Sequence, residues 1–295
     1  MKRTFLGLPE TPERARVALI PAPYDATTTW RPGTRFGPAA ILEASVQLEF
    51  FDEETGREPH RELGFLTLPE PELPVAPEKA LSVLEGLVEE VLSDGKFPVL
   101  LGGEHTVSLA ALRALRRRYP GFKVLQIDAH PDLRESYQGT PWSHACVMRR
   151  ALDLGLEVIA VGVRTASREE YTYIREQGLR VLWARKIRED GPGSLRELDR
   201  LLGPGPVYVT CDLDGLDPGE APGVGTPEPG GLSWYEVLEI LKIASKRPVL
   251  GFDVVELLPL PGDPRTEFLA ARLIYKFLSY LTPQLLSAPG EGKTP

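Results

Sequence analysis

The chain of 295 residues has no asparagine, only two methionines and two cysteines, and only four histidines. Cys146 and Cys211 are too few for a disulfide framework and point to a reducing compartment. No apolar run reaches the length of a membrane span, and the opening MKRTFLGLPETPER lacks the apolar core of a signal peptide. A soluble, cytoplasmic protein is therefore expected. Positive charge is also short: 34 Lys and Arg face 42 Asp and Glu, a formal net charge of -8. That balance argues against nucleic acid or an anionic membrane as partner and mildly favours a cationic substrate. The scarcity of thermolabile residues beside 29 prolines fits a thermophilic host or a biased genome.

What is present is an alternation. Apolar runs at 16–21, 64–68, 97–101, 123–128, 157–163, 180–184, 207–211 and 248–254 read as strands. Helical periodicity separates most of them, at 77–92, 106–118, 143–152, 167–176, 194–202 and 233–244, with further helices from Ala39 and over 266–281. This pattern predicts βαβ units and a mostly parallel sheet of roughly eight strands. No polar linker divides it, so residues 1–295 are expected to form one domain, with a flexible tail over about 283–295. The Gly/Pro/Thr-rich loop after the first strand, up to Gly37-Pro38, is long enough to suggest a functional loop.

Three of the apolar runs end abruptly in metal-binding residue types. VLQIDAHPD closes with Asp128, His130 and Asp132, FPVLLGGEH with His105, and VYVTCDLD with Asp212 and Asp214. Strand ends are where open α/β sheets place their sites. Two imidazoles and four carboxylates exceed what a single ion takes with one position left open, whereas two ions sharing bridging carboxylates can use them all. The N/O donor set suits Mn²⁺, Zn²⁺, Co²⁺ or Fe²⁺, and its carboxylate excess favours Mn²⁺. Paired ions of this kind share a water whose pKa falls to about 7, so the chemistry expected is metal-assisted hydrolysis. His144, with Ser143 as expected N-cap of the following helix, reads either as a solvent-facing residue at a helix start or as a proton shuttle. Glu256, at the end of PVLGFDVVE, reads either as a buried ion-pair partner or as an anchor for a guanidinium.

The segments GGEH (Gly102 to His105), DAHPD (Asp128 to Asp132), SHACVMRR (Ser143 to Arg150), DLDGLDP (Asp212 to Pro218), GVGTPEPGGLS (Gly223 to Ser233) and DVVELLP (Asp253 to Pro259) resemble the ureohydrolase family of arginases and agmatinases, in the family's order. The N-terminal PYDATTTWRPGTRFGPAAI looks like the agmatinase branch. The resemblance implies a three-layer α/β/α fold with two Mn²⁺ per chain. By motif position His105, Asp128, Asp132 and Asp212 would hold one ion and Asp128, His130, Asp212 and Asp214 the other. It further implies that Asp132 orients the attacking hydroxide and carries its proton to the leaving amine. His144 would be a proton shuttle or substrate contact, and Glu256 would hold the guanidinium. A homo-oligomer, trimer or hexamer, is implied in the same way.

Arginases hold the substrate's α-carboxylate with an Asn and hydroxyl residues after the DAHxD segment, but here that stretch is LRESYQGTPWSHA. Glu135 adds negative charge there and would repel a carboxylate. Agmatine, or agmatine extended at its amine by an aminopropyl group, is thus the expected substrate, in polyamine biosynthesis. Trp30, Tyr137 and Trp142 are candidates to line the amine end. The rivals are guanidinobutyrate, arginine or formiminoglutamate, which need a cationic group such as Arg134, Arg149 or Arg164; amide hydrolysis on a related single-zinc fold; and a non-catalytic metal-binding paralogue.

Overall fold

The computed structural model describes residues 3–287. Eight strands form one sheet: β1 (Val17–Ala22), β2 (Phe65–Thr67), β3 (Phe97–Gly102), β4 (Lys123–Ile127), β5 (Glu157–Val161), β6 (Arg180–Leu182), β7 (Val207–Asp212) and β8 (Val249–Val255). Their order is β2-β1-β3-β8-β7-β4-β5-β6, and every pairing is parallel. Parallel strands need covered faces, which explains the unbroken apolar runs. Among the described residues ten α-helices connect and cover them: α1 (Gly37–Ser45), α2 (Pro59–Leu63), α3 (Pro77–Ser93), α4 (Ser108–Arg118), α5 (Val147–Asp153), α6 (Arg168–Gln177), α7 (Ala184–Asp190), α8 (Pro192–Leu202), α9 (Trp234–Ser245) and α10 (Arg265–Ser287).

Strand alternation divides the core into two halves and makes the fold a three-layer α/β/α arrangement. On one face Val17, Val99, Leu125 and Val209 pack with Ile41 of α1, Leu198 of α8, Leu241 of α9 and Ile274 of α10. On the other face Ile20, Leu100, Val124 and Tyr208 pack with Leu84 of α3, Leu112 of α4, Met148 of α5 and Ile174 of α6. Residues Ser167 and Ser233 cap α6 and α9 in full capping boxes with Glu170 and Glu236.

Register places the strand ends at one height. Leu101, Val254, Cys211 and Ile127 form a row across β3, β8, β7 and β4. The chain therefore emerges from four adjacent strands at one edge, with Asp212 and Asp128 next in the row. Gly103 makes the turn after β3 possible, because a Cβ there would lie 2.0 Å from the Tyr24 carbonyl oxygen.

Four local expectations need correction. Ser143 occupies the cap position, but its side chain makes no capping bond and His144–Cys146 form a single 3₁₀ turn before α5. The short helices α2 and α7 were not expected, since five and seven residues give too little periodicity beside Pro and Gly. His60, whose charged surroundings in sequence suggest an exposed residue, is half-buried against Phe50 and Tyr275. The expected tail from 283 onward is helical up to Ser287, because Leu285 is buried and the Gln284 amide exchanges hydrogen bonds with Val249 at both its N–H and C=O. Residues 288–295 lie outside the described part of that expectation.

Candidate metal centre

The six predicted donors come together at the row of strand ends. His105 follows β3, and its Nδ1 lies 3.1 Å from Asp128 Oδ2, 2.9 Å from Asp132 Oδ2 and 3.5 Å from Asp212 Oδ2. The Nδ1 of His130 lies 3.0 Å from Asp214 Oδ2 and 3.6 Å from Asp128 Oδ1. Two groups of metal-compatible donors result: His105 with Asp128 and Asp132, and Asp128 with His130 and Asp214. Asp128 belongs to both and offers a different oxygen to each. Asp212 borders the first group through Oδ2, while its Oδ1 accepts the Asp214 N–H at 2.8 Å.

Backbone geometry holds these groups in place. Asp132 takes a left-handed conformation (φ 53), as does Glu256 (φ 64), both at this edge. Such strain in non-glycine residues gathers at functional sites. The Asp128 carboxylate accepts His130 N–H at 2.6 Å and the Gln126 amide at 2.8 Å, and Asp214 accepts Ala129 N–H at 3.0 Å. A buried Glu104 ties the loop after β1 to the site, accepting the Thr27 N–H at 2.7 Å and the Thr27 and Thr106 hydroxyls, each at 2.6 Å.

Burial raises Asp132 to about 7, with the Asp128 charge adding to it. Asp212 is pushed well above the carboxylate range by burial and then by Asp214 and Asp128. Burial also acts on Asp128, but the two imidazoles outweigh it and hold its carboxyl well below that range. Burial opposes protonation of His130, yet Asp214 and Asp128 push it up to about 12. The same contest leaves His105 well above its usual value. Carboxylates this crowded and dry call for positive charge, which the protein alone can supply only by protonating its histidines. His105 Nδ1 is fully buried and aimed among carboxylate oxygens, none of which meets it in well-aligned hydrogen-bond geometry. The residues present therefore fit a divalent cation.

Above the donors lies a cavity of about 260 Å³, lined by Thr29, His130, Asp132, Arg134, Tyr137, His144, Glu170, Asp212, Asp214, Thr226, Glu228 and Glu256, among others. Glu256 Oε1 accepts the His105 N–H at 2.7 Å. Burial raises the Glu256 carboxyl well above its usual value, with Glu104 adding to it. His144 is half-buried, its Nε2 2.8 Å from the Thr29 hydroxyl and its ring edge-on to Tyr137. Burial and the neighbouring imidazoles lower it to about 4.

Several residues stand elsewhere than the sequence suggested. Glu135 lies outside the cavity, paired with Arg149 at 2.5 Å and Arg150 at 3.4 Å, so its charge is spent locally. Trp30 is 64% exposed and Trp142 stacks on Arg113; of the three aromatic candidates Tyr137 alone lines the cavity. Arg149 is engaged by Glu135 and Tyr173, and Arg164 donates to the carbonyls of Asp214, Gly215, Leu216 and Glu228. Thr226, Glu228 and Glu170 were not singled out. The Gly/Pro-rich segment Gly223 to Ser233 was the signal for the first two, whereas Glu170 looks in sequence like nothing more than a helix-capping residue.

Comparison with known proteins identifies the family. The family model described as the Arginase family matches residues 15–279. An N(1)-aminopropylagmatine ureohydrolase of Synechocystis sp. is 43% identical over 277 residues, covering 90% of this chain and 89% of that protein. An agmatinase of Bacillus anthracis is 39% identical over 275 residues, covering 90% and 92%. The crystal structure of an agmatine ureohydrolase of Thermoplasma volcanium superposes with a TM-score of 0.85 at 35% identity, covering 92% of each chain. The fold, the clustered donors and these matches together place the chain in the arginase family of ureohydrolases.

Proposed function

We propose that this protein hydrolyses agmatine, or agmatine extended at its amine by an aminopropyl group, to urea and an amine in polyamine metabolism. One observation carries the reading: two donor groups sharing Asp128 form the floor of a small pocket whose walls include the acidic residues Glu256 and Glu228. That pocket calls for metal below and a cationic ligand above. The names of the relatives support the same substrates. The single continuous sheet and the match over residues 15–279 support one ureohydrolase domain.

In this proposal two Mn²⁺ bind per chain, one held by His105, Asp128, Asp132 and Asp212, the other by Asp128, His130, Asp212 and Asp214. Ions of this type supply Lewis acidity and lower the pKa of water to about 7. Glu256 keeps one oxygen on the His105 backbone and offers the other to the guanidinium. Asp132 takes a proton from the attacking water and returns it to the leaving amine. His144, neutral at physiological pH and held by Thr29, accepts a proton or contacts the substrate.

The distal end of the substrate is selected by what the cavity offers. Arg134 lies against Tyr137 and 3.9 Å from Glu170, while Arg149 and Arg164 are engaged elsewhere. Glu228 lines the cavity, and its backbone carbonyl is fixed by Arg164 at 2.7 Å. An ammonium suits this end better than a carboxylate. The cavity lies near the small end of the range for ligand pockets, so an aminopropyl extension would run out through the mouth. A homo-oligomer, trimer or hexamer, is proposed from the family.

Urea release from the Mn²⁺-loaded protein tests the proposal, with agmatine, aminopropyl-agmatine, arginine and guanidinobutyrate compared at elevated temperature. Urea from either agmatine compound supports it. Urea from arginine or guanidinobutyrate alone would show that the distal end has been misassigned.

A further inference from the structure

Behind the metal centre runs a buried polar column whose hydrogen bonds have a direction. Tyr208, Thr210 and Asp212 share one face of β7 by alternation, and Thr210 is the register partner of Asp253 on β8. Tyr208, Thr210, Asp253 and His105 are all fully buried. Asp253 takes the Tyr208 hydroxyl on Oδ2 at 2.7 Å and the Thr210 hydroxyl on Oδ1 at 2.5 Å. Such lengths suit hydroxyls donating to an ionised carboxylate, the state on which the direction rests; burial raises the Asp253 carboxyl above its usual value, and the His105 charge and the hydroxyls of Thr210, Tyr208 and Ser108 act against that rise. Thr210 has one hydroxyl proton, and Asp253 receives it. Toward His105 Nε2, 2.8 Å away, Thr210 can then only accept.

The consequence reaches the donor cluster. His105 must keep a proton on Nε2, which leaves Nδ1 as the position open to a cation among Asp128, Asp132 and Asp212. We propose that Asp253, acting through Thr210, is a positioning residue that sets the His105 tautomer and with it the affinity of the ion on the His105 side. This rests on the metal-centre reading given above. His130 offers a contrast within the same protein: its side chain is 28% exposed, and its described contacts lie on the Nδ1 side and the backbone.

Asp253→Asn is the informative change, because it preserves shape and can reverse the column. Its amide can donate to Thr210, whose hydroxyl then turns to donate to His105 Nε2. The imidazole proton moves to Nδ1, where the ion belongs. Thr210→Val cuts the column without reversing it, and Thr210→Ser restores the hydroxyl.

The experiment measures Mn²⁺ content after dialysis and affinity by chelator competition, with circular dichroism confirming the fold of each variant. Nitrogen NMR of the metal-free protein, recorded at a pH above the His105 titration so that the ring is neutral, reads the tautomer, and four histidines make that spectrum assignable. Asp253→Asn should weaken one of the two binding steps by about 10–100-fold, the usual effect of losing such an outer partner. It should also move the His105 proton to Nδ1. Thr210→Val should weaken the same step and Thr210→Ser should recover it. Wild-type affinity in both Asp253→Asn and Thr210→Val, or an unchanged His105 tautomer in Asp253→Asn, overturns the proposal. If Asp253→Asn does not fold, the Thr210 pair decides: equal affinities for Val and Ser overturn it. Wild-type protein that retains no Mn²⁺ would instead sink the metal-centre reading beneath it.

Discussion

Glu256 and Glu228 are both carboxylates in one cavity, yet their surroundings assign them different work. Glu256 is buried, backbone-strained and anchored on the His105 N–H, which suits it to a fixed, planar guanidinium. Its replacement by Gln should lower kcat/KM for agmatine by at least about 30-fold, the equivalent of about 2 kcal/mol for a lost buried charge pair. Metal content should stay unchanged, and a variant with full activity would make Glu256 a structural residue. Glu228 is half-buried and lines the cavity; on the proposal that it meets the distal ammonium, Glu228→Gln should raise KM for agmatine by about 5-fold, as for a partly exposed ion pair. Butylguanidine, which lacks the distal ammonium, should be unaffected; an equal loss on both compounds would remove Glu228 from that role. The difference in legibility between these residues is physical. Glu256 and the six donors end apolar strands, where several charges gathered at one sheet edge stand out against the apolar runs before them. Glu228 and Thr226 sit in an irregular loop, and the partners that spend the charges of Glu135, Arg149 and Arg164 are side chains and carbonyls distant in sequence.

At the scale of elements, the strand-to-helix turn after β3 carries the tightest constraint. A Cβ on Gly103 would come within 2.0 Å of Tyr24 O and 2.7 Å of Tyr24 N, both backbone atoms that cannot swing aside. Gly103→Ala should therefore destabilise the protein by about 1–3 kcal/mol or more and reduce metal retention, since His105 follows two residues later. Gly86, inside α3 with open space around its Cβ position, gives the opposite sign. Gly86→Ala should stabilise by about 1 kcal/mol through helix propensity. Thermal melts of the two variants check both signs, and a tolerated Ala at 103 would mean the turn is not rigid. Long amphipathic elements and buried strands were legible because their period repeats over several turns. The short α2 and α7 were not, since five and seven residues carry too little of a period, nor was α10 beyond Pro283, where Val249 holds Gln284 through a tertiary contact.

For the molecule as a whole, protons and metal ions compete for one buried charge deficit. Without metal, His130 is held up at about 12 and His105 well above its ordinary 6.5, while Asp132 is raised from 3.8 to about 7. Each raised group stabilises the fold fully below its unfolded value and loses that contribution as pH rises toward its folded value. Between pH 6 and 8 all three therefore make the metal-free protein less stable with rising pH. His144, lowered to about 4, works the other way, but its contribution is lost only as pH falls below about 6.5. Metal binding needs unprotonated imidazole and ionised carboxylate, so it must release protons and tighten as pH rises. The melting-temperature gap between Mn²⁺-loaded and chelator-treated protein should accordingly widen from pH 6 to pH 8. Calorimetric titration in two buffers of different ionisation enthalpy should show proton release on Mn²⁺ binding at pH 7. A gap that narrows with pH, together with no proton release, would mean that the ion sits somewhere other than among these histidines and carboxylates.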